Sequence, residues 1–242
     1  MSPAGSCAFD LEIQAQPDDS TCGPTCLHAV YRYFKDPVAL DDVIAEVPRV
    51  AGGGTLAVNL ANHALRRSYR ALIVTYNLSV FDPSWFTGGH RDLPDRLRAQ
   101  AAAKSDPMLS EATDAYLEFL GLGGQLAMDD LSPGLLRGWL EQRKPILTGL
   151  SASFLYRSAR EIGDEVLVED DVRGVPTGHF VVLCGWDAQQ RSVRVADPYH
   201  DPLGGSEHLY WLPVERVINA ILLGVQTHDA NLLVLDPPEA RG

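Results

Sequence analysis

The sequence predicts an α+β fold in which helices on the N-terminal side pack on an antiparallel sheet formed on the C-terminal side. Three observations carry that expectation. Leu27, Val30, Tyr31 and Phe34 recur at i, i+3, i+4 and i+7, the spacing of one apolar helix face. Near the other end, the apolar run Phe180 to Trp186 is joined by the polar segment Asp187-Ala188-Gln189-Gln190 to a second run, Val193 to Ala196, as in a β-hairpin. With 242 residues, 45% of them hydrophobic, and no internal repeat, the chain can bury one large core, so a single domain over residues 1–242 is expected.

The first helix starts at Cys22. Pro24 falls in its first turn, where a missing N–H costs nothing, and Ser20, Thr21 and Gly23 supply capping and turn-compatible residues. Gly52-Gly53-Gly54 then reads as a turn, with Thr55 capping a second helix through Leu56, Leu60 and Ala64. Ala71 to Tyr76 is strand-like. The segment Phe81-Asp82-Pro83-Ser84-Trp85-Phe86 fits either the lining of a binding groove or an aromatic anchor for a loop. Helices are expected over Asp92 to Ala103 and Leu109 to Leu120, the second with Leu109, Ala112, Thr113, Tyr116 and Leu120 along one face before Gly121. Together they form a helical insertion around residues 81–130, placed either beside a cleft as a lid or on the far side as an embellishment. A helix around Leu135 to Gln142 and a strand from Pro145 to Leu150 precede the hairpin.

Chemistry enters through two short segments. In Gln16-Pro17-Asp18-Asp19-Ser20-Thr21-Cys22-Gly23-Pro24, a cysteine stands at a helix N-terminus, where the backbone N–H cluster and the positive dipole end favour Cys–S⁻ over Cys–SH. A cysteine so placed also fits a small buried residue. The second segment, Thr177-Gly178-His179, heads the hairpin, and Asp197 ends it. A turn centred on Ala188 sets His179 directly opposite Asp197, with Cβ atoms roughly 4.5–5.5 Å apart. The carboxylate then holds one imidazole nitrogen while the other faces a nucleophile. A one-residue slip in register would separate them, and His200 is the substitute base in that event. Cys22, His179 and Asp197 thus form a candidate triad.

The string Q-x-D-x-x-x-C-G, here Gln16 to Gly23, followed downstream by Gly178-His179-Phe180 with its apolar strand and by Asp197-Pro198, resembles the papain-like cysteine peptidases of the bacteriocin-processing type. Those enzymes cut after a double glycine in leader peptides, and they have stand-alone cytoplasmic relatives. The resemblance covers the N-terminal and C-terminal thirds. It implies a papain-like fold, with Cys22 as nucleophile, His179 as general base and acid, Asp197 as orienting carboxylate and Gln16 as the oxyanion-hole side chain. A peptide or protein substrate follows. This chain departs from the pattern in having Thr21 where an acidic residue commonly precedes the cysteine, and in a longer stretch between Cys22 and His179.

Bulk composition excludes several classes. The net charge of −12 argues against a phosphate backbone as partner, so no nucleic acid is expected. No uncharged apolar stretch reaches the roughly 18 residues of a membrane span, and Met1 to Ser6 lacks the features of a signal peptide, so the expectation is a cytoplasmic protein with no membrane insertion. Four cysteines, Cys7, Cys22, Cys26 and Cys184, fit reduced thiols better than a disulfide framework. The acidic stretch from Asp164-Glu165 to Glu169-Asp170-Asp171 reads as a solvated loop or as a bias toward basic or neutral peptides.

Rival chemistry is weak. The glycine turn lacks the Gly-Lys-Ser/Thr ending of a phosphate loop. Cys22, Cys26 and His28 cannot converge on a metal from a regular helix, since i and i+4 share a face that i+2 leaves. No cofactor or metal is expected. His63, His90, His208 and His228 have no evident carboxylate or cysteine partner in the sequence. The functional expectation is therefore a cysteine peptidase-like hydrolase passing through a thioester. The alternatives are a thiol-dependent acyl or peptidyl transferase and a catalytically silent peptide-binding module. The sequence carries no signal for oligomeric state.

Overall fold

The computed structural model describes residues 5–50, 53–87, 92–163, 168–199, 208–228 and 230–238. Its helices are α1 (Cys22–Tyr33), α2 (Leu40–Glu46), α3 (Ala57–Arg66), α4 (Leu93–Ala103), α5 (Pro107–Gly121), α6 (Pro133–Glu141), α7 (Ala152–Tyr156) and α8 (Val214–Leu223). Its strands are β1 (Cys7–Ala8), β2 (Arg70–Thr75), β3 (Gln125–Ala127), β4 (Ile146–Ser151), β5 (Glu161–Ile162), β6 (Val168–Glu169), β7 (Gly178–Asp187), β8 (Ser192–Ala196), β9 (Leu209–Pro213) and β10 (Asn231–Asp236). Eight strands make one sheet in the order β3-β2-β10-β4-β7-β8-β9, with β1 pairing the end of β7. Every pairing is antiparallel except β2 with β3. The α+β class with a mostly antiparallel sheet is what the sequence predicts.

Recruitment to that sheet is wider than the C-terminal third. The middle of the chain supplies β2, β3 and β4, while the last strand, β10, inserts between β2 and β4. Its residues Asn231 to Leu235 are buried, as expected of a strand with a neighbour on each side and layers on both faces. Helix α1 is also more enclosed than a one-faced stripe implies, since Cys22 through Tyr31 are all buried. The reason lies in the helix sequence, which carries no Asp, Glu, Lys or Arg from Cys22 to Tyr31, and in the packing of α1 against β7, β4, α2 and α3.

Three local expectations are corrected. Thr21 occupies the N-cap of α1 without capping it, because its hydroxyl donates to the Asp18 carbonyl at 3.0 Å. Thr55 does not cap α3, which starts at Ala57; its hydroxyl donates to the Pro48 carbonyl at 2.7 Å. The turn between β7 and β8 centres beyond Ala188, since Asp187 pairs with Ser192 across a four-residue loop.

Around residues 81–130, Phe81 is buried edge-on against Tyr116 at 4.7 Å between centroids, and it also packs on Trp85 and Phe86. The aromatic segment therefore anchors its loop to the core. Helix α5 packs on α3 and α4, and β3 extends the sheet beside β2. That edge is separated from β7 by β2, β10 and β4, which puts β3 away from His179, while α5 reaches the rest of the molecule through α3.

Candidate active site

Cys22 is the first residue of α1 and His179 the second of β7, and the site exists because that helix end is pressed onto that strand. Gly23 allows the approach. A Cβ there would sit 2.8 Å from Thr55 Cγ2 and 3.3 Å from both Leu60 Cδ1 and Phe180 Cδ2, inside ordinary van der Waals contact. Cys26, one turn along, donates its thiol to the Phe180 carbonyl at 3.2 Å, a second tie between α1 and β7. The sulfur of Cys26 is thus turned to the strand backbone, while Cys22 acts on the His179 ring and favours its charged form.

His179 Nε2 lies 2.8 Å from Asp197 Oδ1, so Nδ1 is left for Cys22. The two residues are not directly opposed as the symmetric hairpin predicts. Given Asp187 opposite Ser192, an unbroken ladder would carry Asp197 opposite Val182, on the face away from His179. A bulge between Leu183 and Gly185 takes up one residue and pairs Val182 with Ala196 instead. Extended one step, that register sets Asp197 opposite Val181, two residues from His179 and on its face. The relation is diagonal. At a diagonal separation of roughly 7–8 Å, it is the outer ring nitrogen that reaches the carboxylate.

Asp197 is fully buried and saturated. Oδ1 accepts from His179 Nε2 and, at 2.9 Å, from the Tyr199 N–H; Oδ2 accepts the hydroxyls of Tyr156 at 2.7 Å and Tyr210 at 2.5 Å. Burial alone would raise the pKa of this carboxyl, yet the charge and hydrogen bond of His179, the Tyr210 hydroxyl and the Tyr199 N–H hold it below the usual carboxylate range. Burial likewise opposes a charged His179. The Asp197 charge and hydrogen bond, reinforced by Cys22, outweigh it and push the imidazolium pKa up to about 10. The arrangement favours a cationic ring between an anionic carboxylate and a sulfur. Burial raises three thiols: Cys184 up to about 12, Cys26 well above the ordinary range, and Cys7 also upward.

Gln16 is tied to the same region through its backbone, whose N–H donates to the Pro198 carbonyl at 2.8 Å. Its side-chain Nε2 donates to the Asp18 carbonyl at 2.8 Å, using one of two amide hydrogens, and its Oε1 is buried with no hydrogen-bond partner among the described residues. No hydrogen bond joins it to Cys22 among the described residues. His200, the substitute base, and His90 lie outside the described residues, as do Asp164 and Glu165 of the acidic stretch. Asp170 of that stretch is more than a solvated charge, because it accepts the N–H groups of Val172 and Arg173 and so shapes a turn.

Some partners were invisible in the sequence. Tyr156 ends the short α7 after β4 and has no motif around it; Tyr210 sits in a strand-like run, Leu209 to Leu212, whose pairing with β8 sets it diagonal to Asp197. His63, for which no partner is evident in the sequence, has two: Tyr31 Oη at 2.8 Å from Nδ1 and Glu46 Oε2 at 3.1 Å from Nε2. That cluster joins α1, α2 and α3 and does not touch Cys22. Its ring pKa is lowered, chiefly by burial.

No protein-family model matches the chain, and no curated protein matches it by sequence. Among solved structures, the chain is similar to a protein described as a C39-like peptidase from Bacillus anthracis, with 14% identity, 97% of this chain and 99% of that chain covered, and a TM-score of 0.48. It is similar as well to the peptidase domain of Streptococcus ComA, a bifunctional ABC transporter (12% identity, 94% and 98% covered, TM-score 0.44). Xylellain, a cysteine protease from Xylella fastidiosa, is a third (12% identity, 97% and 87% covered, TM-score 0.43). Among the described residues, no helix is long and apolar enough to cross a membrane.

Proposed function

We propose that this chain is a papain-like cysteine peptidase of the bacteriocin-processing type, acting on a peptide or isopeptide carbonyl through Cys22, His179 and Asp197. The observation that carries the reading is the 2.8 Å bond from His179 Nε2 to a buried Asp197, with Cys22 favouring the charged form of the same ring. The Cys22 thiolate attacks the carbonyl carbon, and the oxyanion is held by the Cys22 backbone N–H at the start of α1 and by the unused amide hydrogen of Gln16. His179 gives its proton to the leaving amine as the tetrahedral adduct collapses to a thioester. It then takes a proton from water, which attacks the thioester and releases Cys22. An amine in place of water makes the same site a transferase. The leader-peptidase type rests on the Gln16 to Gly23 string and on Gly178-His179-Phe180. A cytoplasmic location belongs to the same proposal.

The test is mass spectrometry of the protein with a peptide library that includes double-glycine sequences, in the presence of an amine acceptor. Cleaved peptides, or acceptor adducts, that disappear in Cys22→Ala support the proposal and separate hydrolysis from transfer. A folded wild-type protein that binds peptides, forms no adduct at Cys22 and leaves every peptide intact would overturn it in favour of a silent binding module.

A further inference from the structure

Two side-chain hydroxyls from outside the candidate triad, carried by separate elements, converge on one oxygen of its carboxylate. Asp197 Oδ2 accepts two tyrosine hydroxyls, Tyr156 from α7 at 2.7 Å and Tyr210 from β9 at 2.5 Å, while Oδ1 is used by His179 and by the Tyr199 N–H. Four donors fill the roughly four lone-pair positions of an ionised carboxylate. A proton on either oxygen would displace at least one of them, so the cage selects the anion. It also fixes the carboxylate plane, because α7 and β9 approach from separate elements and each holds Oδ2 in place. The rings add to this. Tyr156 lies 6.0 Å from the His179 ring and stacks at 6.0 Å on Tyr199, whose ring meets His179 edge-on at 6.1 Å.

We propose that Tyr156 and Tyr210 are positioning residues that act through Asp197: their hydroxyls lock its carboxylate as an oriented anion, so that the imidazolium–thiolate pair of His179 and Cys22 persists into acid. The proposal rests on the reading of Cys22 and His179 as the reacting pair. The titratable groups facing Asp197 among the described residues are His179 on β7, Tyr156 on α7, Tyr210 on β9, and Cys22 and Cys26 on α1; the ring of His208 bonds its main-chain carbonyl at 2.9 Å. The phenols are raised far above their ordinary range, first by burial and then by the Asp197 charge, so they stay protonated donors at any working pH.

Phenylalanine at either position keeps the ring and deletes one donor. With donors removed, the desolvation of Asp197 is less offset and the carboxyl accepts a proton at higher pH, which withdraws support from the imidazolium. The experiment is the pH dependence of Cys22 alkylation by iodoacetamide in wild type, Tyr156→Phe, Tyr210→Phe and the double variant, each also in an Asp197→Asn background. The acid limb is expected to move to higher pH, by about one unit in the double variant, and the shift should vanish in the Asp197→Asn background. An unmoved limb in folded variants, with only a lower thermal midpoint, would make the tyrosines merely structural; a shift that persists with Asp197→Asn would show that they act elsewhere. Either result overturns the proposal. If the double variant does not fold, each single variant is held to the same criteria. Alkylation needs no peptide turnover, so a protein that cleaves nothing would defeat the peptidase reading while leaving this result to be judged by itself.

Discussion

At the scale of single residues, the four cysteines are set apart by what surrounds each sulfur. Cys22 faces the His179 ring at a helix N-terminus, whereas burial raises Cys7, Cys26 and Cys184. At pH 6, iodoacetamide is expected to modify Cys22 well before the others, read by peptide mass mapping; equal slow labelling of all four would remove the imidazolium–thiolate pair. The members of the site should also rank. Cys22→Ala should abolish turnover with a nearly unchanged thermal midpoint. His179→Ala should lower kcat by several orders of magnitude and slow Cys22 alkylation, since the cation beside the sulfur is gone. Asp197→Asn should cost about a hundredfold or more, because the ring survives without its enforced orientation. Gln16→Ala should cost on the order of 10²–10³ in kcat, the size of one lost oxyanion donor, with alkylation unaffected. A harmless Gln16→Ala would assign the oxyanion to backbone donors alone.

Among elements, the decisive contact is the seating of α1 on β7. Gly23→Ala forces a methyl into space already occupied by Thr55, Leu60 and Phe180. It should cost about 1–3 kcal/mol of stability, as overpacking of a core does. Because the displaced element carries Cys22, the folded variant should also lose alkylation rate at pH 6, while Cys7, Cys26 and Cys184 stay unreactive; urea titration and labelling on the same sample separate the two effects. The β7–β8 bulge matters as much. With Cys184 paired in a regular ladder, Asp197 would fall opposite Val182 on the other face of the sheet, and no side-chain change at position 197 would restore the bond to His179.

For the whole molecule, the sheet couples distant parts of the chain to the site without bringing them near it. Strand β10 pairs with both β2 and β4, so its backbone groups complete two ladders. Ending the chain at residue 229 should leave β2 and β4 each with one ladder unpaired, split the sheet between them and give a protein that fails to fold cooperatively, read by circular dichroism and thermal denaturation. Phe81, buried against Tyr116 at the far edge, predicts the opposite pattern. Phe81→Ala should cost about 3–5 kcal/mol of stability while kcat of the folded fraction stays at the wild-type value, because Phe81 packs on Tyr116 of α5 and the sheet edge beside it, β3, is separated from β7 by three strands. A fall in kcat at full folding would return this region to the role of a lid.

Local chemistry alone determined much of this protein. The start of α1 at Cys22, the extended runs of β2, β4, β7 and β8, and the existence of helices α4 and α5 follow from apolar period and Pro24, which act over a few residues, although α5 starts earlier than its apolar face implies, at Pro107, and includes Gly121. The candidate residues Cys22, His179 and Asp197 were legible for the same reason, each standing at or beside the end of an element whose pattern is local, while Gln16, in the loop before α1, was picked out by the resemblance alone. What the tertiary structure decided is how those ends meet. Register depended on a bulge at Cys184 that no residue type announces, β10 found its place between two strands far away in sequence, and Tyr156 and Tyr210 reach Asp197 from α7 and β9. A hydrogen bond between residues forty positions apart leaves no period in the chain; it exists only because packing has already fixed the distance between the elements that carry them.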